Sequence, residues 1–346
     1  MAQINKPDEY FNTVLYTGTA GGQTISGVGH QPDFIWVKQR GDAGYDHSLH
    51  DSVRGTLKKL KSNSSGAEIT TTDSITSTNS DGFVLGADTS GPSGNEVNQD
   101  TKQYVAWNWL GANGTASNTD GSITSTVSAN TTSGFSIVSY TGTGANATVG
   151  HGLGSALDFI IVKKRNGAVS WCTTGTANGW DQCLFLDTID SSGSYTFWQN
   201  TAPTSSVFSI DGSSAVNGSS DTFIAYCFAE KKGFSKFGSY TGNGNADGTF
   251  VYTGFKPAFV ILKNTNAVQD WSMKDNKRPG YNVTDDILYP NGNYAEGSGG
   301  DIDILSNGFK ARTTADNTNQ SGSTFIYMAF AESPLVGTNN IPATAR

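Results

Sequence analysis

Pro32-Asp33-Phe34-Ile35-Trp36-Val37-Lys38, an apolar run closed by a lysine, decides how the rest of the chain is read. It recurs as Leu157-Asp158-Phe159-Ile160-Ile161-Val162-Lys163 and as Pro257-Ala258-Phe259-Val260-Ile261-Leu262-Lys263. Each copy follows a Tyr-Thr-Gly triplet: Tyr16-Thr17-Gly18, Tyr140-Thr141-Gly142 and Tyr240-Thr241-Gly242. Tyr140 and Tyr240, Lys163 and Lys263, and Trp171 and Trp271 all lie 100 residues apart. Shared spacing of three landmarks is the mark of an internal repeat. Ser80-Asp81-Gly82-Phe83 matches Ser306-Asn307-Gly308-Phe309, with Ser206-Val207-Phe208 as a shorter relative. Each repeat then closes on an aromatic-rich run, at residues 104–109, 223–230 and 325–332.

Working outward, these runs are short, β-branched and aromatic, and are bounded by Gly, Asn, Asp and Ser, which is the pattern of strands and turns. A sustained 3.6-residue apolar period is missing; a turn or two near residues 52–60 is the best helical candidate. The expected fold is all-β: three tandem β-sandwich, jelly-roll-like repeats of about 100 residues. The expected division is an N-terminal lead (1–10), repeat 1 (11–112), a Gly/Ser/Thr segment (113–133), repeat 2 (134–233), repeat 3 (234–333) and an extended tail (334–346). The segment 113–133 reads equally as a flexible linker and as an exposed edge strand around residues 122–127. Repeats 2 and 3, joined by Lys231-Lys232-Gly233, are expected to form a rigid pair.

With 22 basic and 30 acidic residues the 346-residue chain carries a net charge of −8. Nucleic acid is not an expected partner, because affinity for it comes from Lys and Arg neutralising phosphates. The densest basic run, Lys58-Lys59-Leu60-Lys61, reads as a solvated face. No apolar stretch reaches the length of a membrane helix, so membrane insertion is not expected, and a chain made in a cytoplasm is. Cys172, Cys183 and Cys227 show no spacing for a disulfide framework or zinc site, and Cys227 reads as a buried thiol.

Candidate chemistry is sparse. Gly142-Thr143-Gly144 and Gly242-Asn243-Gly244 have the third glycine misplaced for the dinucleotide fingerprint and no helix following, and read as turns. His30 and His151 fall where repeat 3 has Phe255, which points to packing. His47 and His50, beside Asp46 and Asp51, lack a third metal ligand. Asp285, Asp286, Glu296, Asp301 and Asp303 read first as a solvated acidic loop, with calcium binding or a glycosidase pair as sharper alternatives. No catalytic, cofactor or metal residue is assigned. Aromatics in turn-rich surroundings are the stronger contact candidates: Trp180, Trp198, Tyr281, Tyr289 and Tyr294, together with Asp285 and Asp286. Such rings stack on sugars or anchor protein contacts while losing little side-chain entropy.

Laid out in this way, the chain resembles virion structural proteins of marine and cyanobacterial phages, the tail-fibre-like proteins. Carrying the likeness are the Tyr-Thr-Gly and Pro32–Lys38 segments, Asp51-Ser52-Val53-Arg54-Gly55, Thr78-Asn79-Ser80-Asp81-Gly82-Phe83, Tyr104-Val105-Ala106-Trp107-Asn108-Trp109 and the C-terminal third. It covers nearly everything after Phe11, and repeat 2 departs most, lacking the Asp-Ser-Val-Arg-Gly segment. The resemblance implies residence in the virion, other virion proteins as partners, and a host-surface glycan or protein as ligand. It implies no enzymatic activity. A homo-oligomer is expected, a trimer foremost, with nothing in the sequence fixing the number. Capsid decoration or a head fibre, and a polysaccharide depolymerase, are the alternative readings.

Overall fold

A computed structural model describes residues 3–89, 96–337 and 342–345. The chain is all-β: among the described residues the only helical turn is the 3-10 segment Pro7–Glu9, and residues 52–60, the helical candidate, are turns leading into a short strand at 58–59.

Unit 1 contains β1 (Phe11–Thr17), β2 (Gln23–Ile25), β3 (Phe34–Gln39), β4 (Ser48–Asp51), β5 (Lys58–Lys59), β6 (Ile69–Thr70), β7 (Ile75–Asn79), β8 (Gly82–Leu85) and β9 (Gln103–Trp109). Unit 2 begins with β10 (Ala116–Asn118), β11 (Ser125–Asn130), β12 (Phe135–Thr141), β13 (Ala147–Gly150) and β14 (Phe159–Lys164). It continues with β15 (Cys172–Gly175), β16 (Gln182–Phe185), β17 (Gly193–Ser194), β18 (Val207–Ile210) and β19 (Thr222–Phe228). Unit 3 contains β20 (Ser235–Thr241), β21 (Phe250–Tyr252), β22 (Phe255–Asn264), β23 (Ser272–Asp275), β24 (Thr284–Ile287), β25 (Gly297–Leu305), β26 (Gly308–Ala311) and β27 (Thr324–Pro334).

One strand order recurs in the main sheets: β1-β9-β3-β4, β12-β19-β14-β15 and β20-β27-β22-β23. All these pairs are antiparallel. Against each main sheet lies a second, outer sheet: β2-β8-β7, β13-β18 and β21-β26-β25-β24. Each pair of sheets encloses its own core. In unit 1 Ile25, Ile75 and Phe83 of the outer sheet meet Ile35, Val37, Tyr104 and Ala106 of the main sheet.

The opposite faces of the three main sheets are also buried, against one another. Alternate residues of β9 show the division: Tyr104 and Ala106 enter the core of unit 1, whereas Val105, Trp107 and Trp109 enter a core shared by all three units. A strand buried on both faces reads as a continuous apolar run, which is why the repeated segments lack polar alternation. Cross-strand pairs Phe34–Trp109, Phe159–Phe228 and Phe259–Phe330 occupy the same register in the three units. Between units, Phe34 stacks on Tyr226 at 4.3 Å, Trp109 meets Phe259 at 5.8 Å, and Phe228 meets Phe330 at 5.9 Å. Units 2 and 3 are therefore not a separate pair: hydrophobic burial draws all three around one centre.

The Tyr-Thr-Gly triplets sit in like surroundings. Tyr16, Tyr140 and Tyr240 donate their hydroxyls to the carbonyls of Val97, Val216 and Thr318 at 2.7, 2.6 and 2.5 Å. Asn98, Asn217 and Asn319 accept the next turn's backbone N–H at 3.1, 2.8 and 3.0 Å. A Cβ on Gly18, Gly142 or Gly242 would lie 2.1, 2.3 or 2.3 Å from a carbonyl oxygen, so only glycine allows this approach. Segment 113–133 supplies β10 and β11, and β11 extends the main sheet of unit 2 along β12.

Candidate functional site

The three main sheets meet at three junctions that repeat one backbone pattern. Glu68 N–H donates to Arg165 O at 2.7 Å, Ser192 to Thr265 at 2.9 Å, and Glu296 to Arg40 at 2.7 Å. A second set runs the opposite way: Val169 to Ser65, Gln269 to Ile189, and Gly44 to Asn293, at 3.0, 2.9 and 2.7 Å. Unit 1 thus grips unit 2, unit 2 grips unit 3, and unit 3 grips unit 1. A head-to-tail contact that returns to its start after three steps closes into a ring.

Two of the three lysines ending the repeated runs bond across these junctions. Lys163 Nζ donates to Ser65 O across one junction at 3.0 Å, and Lys263 Nζ to Ile189 O across the next at 2.8 Å. Lys38 Nζ donates to Gln39 O at 2.8 Å. Burial lowers all three ammonium groups to about 8. The residue before the next strand is His47, Trp171 or Trp271, and each ring reaches a backbone carbonyl of the preceding unit. The ring nitrogens lie 2.9 Å from Tyr289 O, 3.0 Å from Lys61 O and 3.0 Å from Phe185 O. His47 therefore takes a tryptophan's place. Trp36 Nε1 donates to its Nδ1 at 2.8 Å, and burial holds its pKa well below the ordinary value. His50 is also buried, pushed down to about 3, and bonded to Thr56 O and Ser74. Both histidines are neutral structural groups.

Two junctions carry a buried ionic network. In the first, Arg54 bonds Asp51 at 2.5 Å and Glu68 at 3.1 Å, Arg165 bonds Glu68 at 3.0 Å, and the Tyr226 hydroxyl donates to Asp51 at 2.8 Å. In the other, Arg278 bonds Asp275 at 2.6 Å and Glu296 at 3.0 Å, Arg40 bonds Glu296 at 2.6 Å, and Trp107 Nε1 donates to Asp275 at 3.1 Å. Burial works against both guanidinium charges, yet the neighbouring carboxylates raise their pKa. The third junction has Gly175, Asn178, Ser192 and Thr265 at the matching places, with Ser192 Oγ donating to Asn178 at 3.0 Å. Asp275 and Arg278 escaped the sequence reading, although their three-residue spacing after a strand repeats that of Asp51 and Arg54. Asn98, Asn217 and Asn319 escaped as well, although each precedes its unit's last-strand aromatic (Tyr104, Phe223, Phe325) by six residues.

The contact candidates divide by location. Tyr281 is 82% exposed and Tyr294 52% exposed. Tyr289 is half-buried, with its ring edge-on to Tyr294 at 5.7 Å. Asp285 is exposed, while Asp286 is half-buried 3.8 Å from Arg40, its carboxyl pushed up by burial and by Glu296. The backbone beneath the tyrosine pair is pinned to unit 1, since Tyr289, Pro290 and Asn293 carbonyls accept bonds from His47, Ser62 and Gly44.

Trp180 and Trp198 correct the expectation of surface rings. Trp198 is 1% exposed, Trp180 is partly buried, and the two meet edge-to-face at 6.3 Å within the core of unit 2. Their turn-rich segments fold back because burying an indole removes a large apolar area from water. The acidic residues do not share the expected loop, since Asp285 and Asp286 lie in β24 and Asp301 and Asp303 in β25. Cations of the chain engage two of the group: Glu296 by Arg40 and Arg278, Asp303 by Arg312 at 3.5 Å. Among the described residues no three His, Cys, Asp or Glu side chains are placed to hold a metal ion. The three cysteines are free and buried.

No curated protein and no solved structure matches the chain. Residues 6–334, a span that takes in all three units and their junctions, match the model of a domain of unknown function, DUF7483, and the chain belongs to that family.

Proposed function

We propose that the chain is a structural protein of a phage virion, a tail-fibre or tail-appendage component whose loops meet a host-surface glycan or protein. The observation that carries this reading is the ring-locked loop of unit 3. It holds Tyr294 in solvent while its backbone is bonded to unit 1, and Tyr281, in the separate segment before β24, is exposed as well. A surface fixed before contact loses little entropy on binding, and several copies on one particle multiply a weak contact. Immunogold labelling of particles tests location, with label on the tail expected. Binding of purified protein to host cells tests contact, and Tyr281→Ala with Tyr294→Ala is expected to weaken it about tenfold while the melting temperature stays unchanged. Unaltered binding by the double variant removes the role given to this loop.

The closed threefold ring favours a second reading, capsid decoration or a head fibre, because a threefold surface suits a threefold position of a shell. Label over the head selects it. The reading assigns no catalysis. New reducing ends after incubation with host polysaccharide select a depolymerase instead.

A further inference from the structure

An open groove of about 610 Å³ lies beside unit 3, between the start of β20 and the end of β21, lined by the turn at residues 230–233, Ser235 and Lys236, residues 252–254, and Asp158 of unit 2. The corresponding place in the other two units is filled by the chain itself. In unit 2, Ile123 bridges Val149 as a parallel strand, its N–H donating to Thr148 O at 3.0 Å. Ser125 Oγ donates to Gly150 O at 2.8 Å, and β11 pairs with β12. A Cβ placed on Gly152 would touch Ala129 and Val127 of the same inserted segment. In unit 1 the turn Pro7–Glu9 fills the place: Asp8 O lies 3.1 Å from His30 Nδ1 and 3.5 Å from a Cβ placed on Gly29.

Both fillers come from the stretch of chain that precedes the strand carrying the Tyr-Thr-Gly triplet, β1 in unit 1 and β12 in unit 2. Unit 3 has only residues 229–234 there, and these are spent on a turn in which Phe234 and Ser235 donate to Lys231 O. Gly254 follows β21 by two residues, as Gly152 follows β13, and has φ +81 against +73. Yet a Cβ on Gly254 would meet nothing closer than the Tyr252 hydroxyl at 3.6 Å. Among the described residues β21 pairs with β26 alone, and its Phe250 and Tyr252 are 45% and 57% exposed.

We infer that this groove is a strand-addition site for an extended segment of another polypeptide, rich in hydroxyl residues and carrying a β-branched side chain where unit 2 has Ile123. Main-chain bonds to β21 supply affinity, and the β-branched residue packs toward Val251, the counterpart of Val149. The occupant's chemistry follows from unit 2, where Ser122-Ile123-Thr124-Ser125 takes the equivalent place. An uncovered edge is what pairs with foreign strands. The inference stands independently of the virion reading.

The test adds a synthetic peptide of residues 121–130 to the full chain and follows amide exchange together with anisotropy of a label on the peptide. Saturable binding is expected, with exchange at residues 249–254 slowed about tenfold. Tyr252→Asp is expected to weaken binding about tenfold at an unchanged melting temperature, and a peptide with Ile123→Pro is expected not to bind. Absent protection at saturating peptide overturns the proposal, as does equal protection by the proline peptide or undiminished binding by Tyr252→Asp. A concentration-dependent dimer that protects the same residues without peptide overturns the choice of occupant in favour of a second copy.

Discussion

The junctions flanking unit 1 and the junction between units 2 and 3 solve one geometric problem with different chemistry. Both use the same backbone bonds, so the ring geometry does not depend on the side chains at its corners. Around unit 1, however, Arg54 and Arg278 are fully buried between carboxylates. Between units 2 and 3 the matching strand residue to Tyr226 and Trp107 is Met328, which lines a small apolar void with Phe159, Ile161, Leu186, Ile261 and Trp271. The difference teaches where each junction is vulnerable. Ionic corners fail when one partner is lost, because the remaining charge stays buried. The apolar corner fails only in proportion to the volume removed.

The largest expected effect follows from this. Arg278→Ala leaves Asp275 and Glu296 facing a guanidinium that is gone, and about 3–5 kcal/mol of stability is expected to be lost in denaturant titrations. Met328→Ala should cost about 2–4 kcal/mol by enlarging the void. A loss as large as that of Arg278→Ala would erase the distinction between the corners.

Titration sharpens the comparison, since all three units have a buried lysine at the end of the repeated run and unit 1 has His47 where the others have tryptophan. Lys38, Lys163 and Lys263 fall from 10.5 to about 8 in the folded chain, so between those values the unfolded chain holds more protons. These lysines therefore contribute a rise in stability above pH 8. It is opposed above about pH 9 by Cys172 and Cys227, and above about pH 10 by buried tyrosines such as Tyr16, Tyr140 and Tyr226, whose values are all raised in the folded chain so that the unfolded chain loses their protons first. His47 and His50 also have lowered values, and the unfolded chain takes up their protons below about 6.5. Stability is expected to fall as pH drops through that range, and His47→Trp, which copies the other two junctions, should flatten part of the fall in melting temperature measured from pH 7 to pH 5. The smallest effect is expected for Asn178→Ala at the apolar corner. It removes one neutral hydrogen bond and should cost about 0.5–1.5 kcal/mol. A cost matching Arg278→Ala would show that charge is not what separates the corners.

The all-β class was legible because Phe34–Val37 and its counterparts are β-branched and aromatic runs framed by turn residues. The site was less so. Tyr281 and Tyr294 lie in solvent as their surroundings suggested, but Trp198 has similar neighbours in sequence and is buried. Local composition cannot distinguish a turn that projects from one that folds back. His47 and His50 invited a metal reading because their nearest carboxylates in sequence are Asp46 and Asp51. In space His47 answers to Tyr289, a residue of unit 3.

By itself the sequence determined what local chemistry can determine: where strands run, where glycine must turn, and which segments resemble one another. Strand propensity and close backbone approach act over a few residues, so they leave a periodic trace in the chain. Only the tertiary structure decided that the three units close on one another. Glu68 with Arg165, and Glu296 with Arg40, join positions 97 and 256 residues apart, and no pattern along the chain records such a pairing. Burial decides it: each main sheet has two apolar faces, its own outer sheet covers one, and the second leaves the water only when the three sheets face a common centre.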